Sequence, residues 1–422
     1  MSDSFHVTYL LTLSPGERAE KRIRELQLEQ STELPEEVVS RLGMQHVTGS
    51  ASDIEILDER FVRVTIAWPA NNHGNEITQF LNVLFGNISM KSGIAIIDIR
   101  WEDVAGLFSG PAFGIERIRK EWGILDRALG CTALKPMGFT SAQLAELAYQ
   151  FALGGMDIIK DDHGLANQPT ARFEERVRLC VQAMDRAAQK TGRRSRYFPN
   201  VTAGPNQAED RYALAAELGA DGVLLAPMLA GPALMHHLAR TSIELPIMAH
   251  PAFSGSYVAH GLSDRPVAGS IATGTQAGTQ TGNEVGAEIG AAAGNEVGAE
   301  VGAAAGSSGT VQAESFHGFE PGLFYGGMMR ALGADFVIYP NTGGRFSFNN
   351  KVCEAINRQA RASDLPYPAS FPTPGGGMQR NRMDYWLDNY GTDTTFLMGG
   401  SLFEDPDGIE AASRSFMETL GV

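Results

Sequence analysis
The chain has 422 residues, of which 43% are hydrophobic and 20% charged, and its formal net charge is −15. That length predicts two domains with ample core material, and the acidic balance argues against nucleic acid or an anionic membrane surface as a partner. An anionic substrate in a local basic pocket stays open. Three scattered cysteines, Cys131, Cys180 and Cys353, fit neither a disulfide framework nor a zinc site. With no apolar run of about 18 residues and no signal-like N-terminus, the expectation is a soluble, cytoplasmic protein.

Residues 1–120 mix strands and helices. Val7–Leu13 and Ile94–Trp101 are strand candidates, and Phe61–Trp68 alternates as a half-buried strand should. Pro15–Leu28 is predicted as a helix with Ser14 as its N-cap, and Ile77–Leu84 as a second. Two helices on a small sheet make an α+β domain.

From residue 121 to 422 the rhythm changes. Strand candidates alternate with helical patterns such as Ala142–Leu153 and Phe173–Gln189. The strands are Cys131–Lys135, Met156–Lys160, Tyr197–Thr202, Gly222–Ala226, Pro246–His250, Asp335–Tyr339, Ser370–Pro374 and Thr395–Met398. Eight βα units predict a (β/α)8 TIM barrel rather than an open doubly wound sheet. Two near-copies of a Gly-rich motif over 282–305 can sustain neither a helix nor a core. About 263–313 is therefore expected to be a flexible insertion after the fifth strand.

A barrel of this kind carries its chemistry at the C-terminal ends of its strands. Those ends read Lys135 on strand one, Lys160-Asp161-Asp162-His163 on strand two, Asn200 on strand three and His250 on strand five. Strand six ends at Asn341 with Gly343-Gly344-Arg345, strand seven at Gly375-Gly376-Gly377 and strand eight at Gly399-Gly400. Two carboxylates suit a hard divalent cation such as magnesium, and a neighbouring histidine also admits a softer metal. The plain alternative is a solvated acidic loop in which Lys160 pairs with Asp161. A lysine desolvated in such a mouth can act as a base or bind an anion. The glycine pairs expose backbone N–H groups that can cradle a phosphate, and Arg345 can grip a second anionic group.

The order of these motifs resembles the large subunit of ribulose-bisphosphate carboxylase, and more closely the RuBisCO-like proteins. Leu-Lys-Pro at 134–136 resembles the family's strand-one lysine, and Gly-Gly-Met-Asp-Ile-Ile-Lys-Asp-Asp-His resembles its metal motif. The resemblance implies a ferredoxin-like domain before the barrel, working as a homodimer. It implies that Lys160 takes up carbon dioxide as a carbamate and holds Mg2+ with Asp162. His250 matches the strand-five histidine, Gly375 and Gly376 the strand-seven phosphate site, and Gly399 and Gly400 the strand-eight one. Glu29 and Asn87 match residues that reach the partner subunit's site.

The departures are specific. His163 stands where the carboxylase has glutamate as its third ligand, Met137-Gly138 where it has a second lysine, and Pro251 and Ser254 where it has an arginine and a histidine. Gly-Gly-Arg-Phe at 343–346 offers no match to its mobile strand-six lysine, so the role of Arg345 rests on chemistry alone. Carbon fixation is not expected. The resemblance implies the front half of the mechanism: enolisation or isomerisation of a phosphorylated methylthio-ketopentose in sulfur salvage, with Lys135 as the proton-transferring group. Decarboxylation of a phosphorylated 3-oxo sugar acid is the alternative. From another class, a silent barrel that binds a phosphorylated metabolite as a regulator is also compatible with the departures.

Overall fold
The computed structural model describes residues 3–259 and 316–422. The Gly-rich segment expected at about 263–313 lies outside the described residues.

The first sheet is built from β1 (Ser4–Thr12), β2 (Ser50–Ile56), β3 (Phe61–Pro69) and β4 (Ile94–Ile99). β1 is central and antiparallel to both neighbours, with Val7 opposite Ile66 and Ile99. Alternation in β1 buries Phe5, Val7, Tyr9 and Leu11 against helices Ala19–Glu29 and Ile77–Phe85. The helix predicted from Pro15 starts four residues later, at Ala19, with Arg18 as its N-cap. Pro15 and Gly16 form a turn instead, Gly16 at φ 77°, and the Ser14 N–H donates to the Glu17 carboxylate 2.8 Å away. β2 has no counterpart among the predicted strands. It is an edge strand with exposed side chains, so burial imposes no alternation on it.

The second sheet contains β5 (Leu129–Leu134), β6 (Ile158–Asp161), β7 (Arg196–Phe198), β8 (Val223–Leu225) and β9 (Ile247–Ala249). After β10 (His317–Phe319), which joins the first sheet parallel to β4, come β11 (Phe336–Pro340), β12 (Phe371–Gly375) and β13 (Thr395–Leu397). The order β7-β6-β5-β13-β12-β11-β9-β8 follows the chain around a circle. The ring closes where Asn200 bridges Leu224, with the Leu224 N–H donating to Pro199 O at 2.9 Å. This is a parallel eight-stranded barrel with helices outside it.

Inward side chains fill the N-terminal half of the barrel. Leu129, Cys131, Ile158, Phe198, Leu224, Met248, Phe336 and Phe371 pack around Phe113, Ile115 and Ile118 at the start of helix Gly114–Trp122. The helix is a stopper. Asp335, wholly buried at the foot of β11, holds it by accepting from the Phe113 and Gly114 N–H groups at 2.9 and 2.8 Å and from Ile247 N–H at 2.9 Å. Burial pushes the Asp335 carboxyl up to about 6, against those three hydrogen bonds. With this end plugged, the interior opens at the C-terminal ends of the strands. Asp335→Ala leaves three buried N–H donors without an acceptor and is expected to cost about 3 kcal/mol, read as a lower urea midpoint at unchanged m.

Candidate active site
Strand alternation sorts the cluster on β6. Lys160 points into the barrel above Ile158, while Asp161 points outward through the wall. The Asp161 carboxylate is fully buried there and saturated. It accepts from Arg176 at 3.1 Å, from the Tyr197 hydroxyl at 2.7 Å and from the Asn200 N–H at 2.9 Å. Arg176 also donates to the Ala171 and Ala166 carbonyls, fastening the loop after β6 to the following helix. Among the described residues, the pairing of Lys160 with the Asp161 carboxylate that a solvated loop would use is absent, and the hydrogen bond of Lys160 Nζ goes to the Asp161 backbone carbonyl, at 3.2 Å.

Lys160 is 1% exposed. Burial lowers the pKa of its ammonium, with the Lys135 charge adding to the effect and Asp162 opposing it. Beneath it lies Cys131, whose thiol burial pushes up to about 12. Asp162 emerges at the mouth with Lys135 Nζ 3.4 Å and His163 Nδ1 3.5 Å from the same carboxylate oxygen. Burial opposes its charge, yet the adjacent His163 ring and the two lysines hold its carboxyl well below the usual range. The His163 ring stacks on His250, centroids 4.4 Å apart and planes 19° from parallel. His250 lies at the end of β9 and is kept neutral by burial and by the Lys160 charge. Its Nδ1 accepts from the Ala252 N–H at 3.1 Å, which puts the ring proton on Nε2.

Asn200 is a clamp. Its amide donates to the His163 and Leu165 carbonyls at 3.0 and 2.8 Å, and its oxygen accepts from the Thr202 hydroxyl at 2.6 Å. The structure thus gathers Lys135, Lys160, Asp162, His163 and His250. The supporting shell of Arg176, Tyr197 and Thr202 carried no signal in the sequence, since a helix arginine and a strand tyrosine have ordinary packing uses.

The glycine-rich ends lie across the mouth. Gly375 pairs with Leu397 between β12 and β13. Side chains built at Gly376, Gly399 or Gly400 would meet nothing within 4 Å. Gly376 nevertheless requires its left-handed φ of 86°. After β13 a short turn starts at Gly400, with Gly399 before it and its first bonds running from Leu402 and Phe403. The Gly400 and Ser401 N–H groups lie at its open start. Gly377 and Gly344 serve another purpose: a Cβ on Gly377 would lie 2.5 Å from Gly344 N, so these two loops pack backbone to backbone. Arg345 is exposed on the loop after β11 and makes no hydrogen bond to the cluster among the described residues. Glu29 and Asn87 meet in the first domain, where the Asn87 amide donates to Glu29 at 3.2 Å and Lys91 lies 3.3 Å from the other oxygen.

A cavity of about 550 Å³ lies at the opposite end of the barrel beside Met156 and Asp157. Its three arginines are already engaged, Arg193 by Asp157, Arg194 by Asp185 and Asp221, and Arg414 by Glu410.

A family model described as the ribulose bisphosphate carboxylase large chain, catalytic domain, matches residues 114–267. The chain is 30% identical over 404 residues to ribulose bisphosphate carboxylase-like protein 1 of Rhodopseudomonas palustris, covering 95% of this chain and 93% of that one. The chain belongs to the RuBisCO-like protein family. It is also 29% identical over 424 residues to a 5-methylthioribulose-1-phosphate isomerase of Rhodospirillum rubrum, covering 100% of this chain and 97% of the relative. The crystal structure of a Rubisco-like protein from Rhodopseudomonas palustris superposes with a TM-score of 0.78 at 28% identity, covering 100% of this chain and 98% of that one.

The donor set of this RuBisCO-like chain can be tested against the metal its family implies. Among the described residues no three His, Cys, Asp or Glu side chains form a ready-made cage. The set is completed only if Lys160 supplies an oxygen, and a buried amine lacking a carboxylate partner beside an ionised Asp162 is suited to that. The residues fit. The shell that positions them is equally testable: Arg176→Leu strands Asp161 as an uncompensated buried charge. It is expected to lower unfolding free energy by about 3–5 kcal/mol in denaturant titration.

Proposed function
We propose that this chain is an isomerase that forms an enediolate from a phosphorylated keto-sugar, with a 5-methylthio-ketopentose phosphate as substrate. The observation that carries this reading is the contact of Lys135 with Asp162 directly above the buried Lys160. The name of the whole-length relative from Rhodospirillum rubrum favours isomerisation over decarboxylation.

In its neutral form Lys135 accepts the proton from the carbon next to the ketone. The C–H electron pair becomes the C=C bond, and the carbonyl π pair moves to oxygen. The C=C pair then takes the proton at the former carbonyl carbon, while the hydroxyl on the other carbon passes its proton to the oxyanion and becomes the new carbonyl. The neutral His250 ring, with its proton on Nε2, donates to a developing oxyanion without carrying a charge of its own. Asp162 stays ionised and keeps Lys135 oriented. The N–H groups at Gly399 and Gly400, with Gly375 and Gly376 opposite, receive the phosphate. Arg345 is the candidate for a second anionic group.

Lys160, as its carbamate, would hold a divalent cation with Asp162 and His163; when bound, that ion polarises the ketone and stabilises negative oxygen. Burial raises the share of Lys160 in the neutral form that reacts with carbon dioxide. In a homodimer, Glu29 and Asn87, already joined to each other, are the residues offered to the partner's mouth.

Incubation with a methylthio-ketopentose phosphate, magnesium and bicarbonate in deuterated water is expected to place deuterium on carbon without releasing carbon dioxide. Lys160→Ala should abolish uptake, and Lys135→Ala should slow it by at least about 100-fold. Carbon dioxide release from a 3-oxo sugar acid phosphate would select the decarboxylase instead. Ligand binding without exchange, indifferent to metal and bicarbonate, would select the regulator.

A further inference from the structure
The imidazole of His163 stands where the carboxylase motif has a carboxylate, and its surroundings hold it like a metal ligand. The ring has a stacking partner in His250 at 4.4 Å, which fixes its plane. Its backbone carbonyl is held by Asn200 at 3.0 Å, and Asn200 is itself locked by Thr202 at 2.6 Å. His250 is anchored in turn by the Ala252 N–H. A histidine that served only as solvated surface would need neither restraint. Conserving orientation through a second layer of partners is what first-layer metal ligands need.

The spacing agrees. Two donors each about 2.1 Å from one ion lie roughly 3.0 Å apart at a right angle and roughly 3.4 Å apart at the tetrahedral angle. His163 Nδ1 and Asp162 Oδ1 are 3.5 Å apart. The half-exposed ring leaves that shared space open to the mouth, 48% of its side chain remaining accessible. Imidazole nitrogen binds borderline transition ions far better than it binds magnesium, which prefers oxygen and retains its water.

We propose that His163 is a nitrogen ligand that turns this mouth into a site for a borderline divalent transition ion, such as cobalt or iron, in preference to magnesium. This rests on the enediolate reading of the same site and adds the identity of its cation. His250 serves as a positioning residue through the ring stack and is not itself a ligand.

The test uses the full chain, stripped of metal and supplied with bicarbonate. Calorimetry is expected to give a cobalt affinity at least about 1,000-fold above that for magnesium, with the ratio falling at least about 10-fold in His163→Glu. Pulsed EPR of bound manganese should show nitrogen coupling that disappears in both His163→Glu and His163→Gln. The coupling should persist in His250→Phe, which keeps an aromatic stack. Thermal melts of each variant establish that it is folded. If manganese binds, is lost in Asp162→Asn, and shows no nitrogen coupling in the unsubstituted chain, the role of His163 is overturned while the enediolate reading stands. If neither Asp162→Asn nor Lys160→Ala alters manganese binding, the strand-end site fails, and the enediolate reading fails with it.

Discussion
Everything at the mouth depends on the two-residue period of β6. Three consecutive polar residues leave this strand, and the pleat sends them to different places: Lys160 into the barrel, Asp161 through the wall, Asp162 back to the rim. A one-residue slip would exchange their environments. Asp161 makes that slip expensive, because its carboxylate is satisfied only in the slot between Arg176, Tyr197 and the Asn200 N–H. The ion pair has no exposed atoms to be screened by salt, and losing either partner leaves a buried charge. Asp161 therefore positions its two neighbours without touching a ligand.

The charges inside the mouth are arranged around a shortage of carboxylates. Lys160 and Lys135 share the neighbourhood of one ionised Asp162, with His250 kept neutral beside them. A buried lysine with only a backbone carbonyl for company is a poor core residue, since desolvation disfavours its charge. The same penalty makes its amine available. Below it, the packed layer of Cys131, Ile158 and Phe198 and the stopper helix exclude solvent, so the polar groups face the C-terminal ends of the strands. Asp335 reaches this site from the far end of the barrel by holding that stopper in place.

The first domain is tied to the barrel through β10, which comes after five barrel strands yet pairs with β4. Chain order therefore does not divide the molecule cleanly into a leading domain and a following one. The helix Gly114–Trp122 shows the same interleaving: it precedes the first barrel strand and fills the barrel's base.

The barrel was legible because most of its strands are apolar runs ending in polar or glycine residues, β8 with Ala226 and Pro227 after it being the exception. The polar cluster at those ends was legible for the same reason: Lys135, Lys160, Asp162 and His250 have no packing reason to follow such runs. Sequence could not decide which of Asp161 and Asp162 faces the mouth, because adjacent residues differ only by the phase of the pleat, and tertiary pairing sets that phase. Nor could it reveal that Asn200 serves His163 as a clamp, or that Gly344 and Gly377 exist for a backbone contact between two loops. β2 went unseen because it is an exposed edge, with too little burial to write a period. The stack of His163 on His250 joins residues 87 positions apart. Only closure of the barrel brings the ends of its second and fifth strands within ring contact.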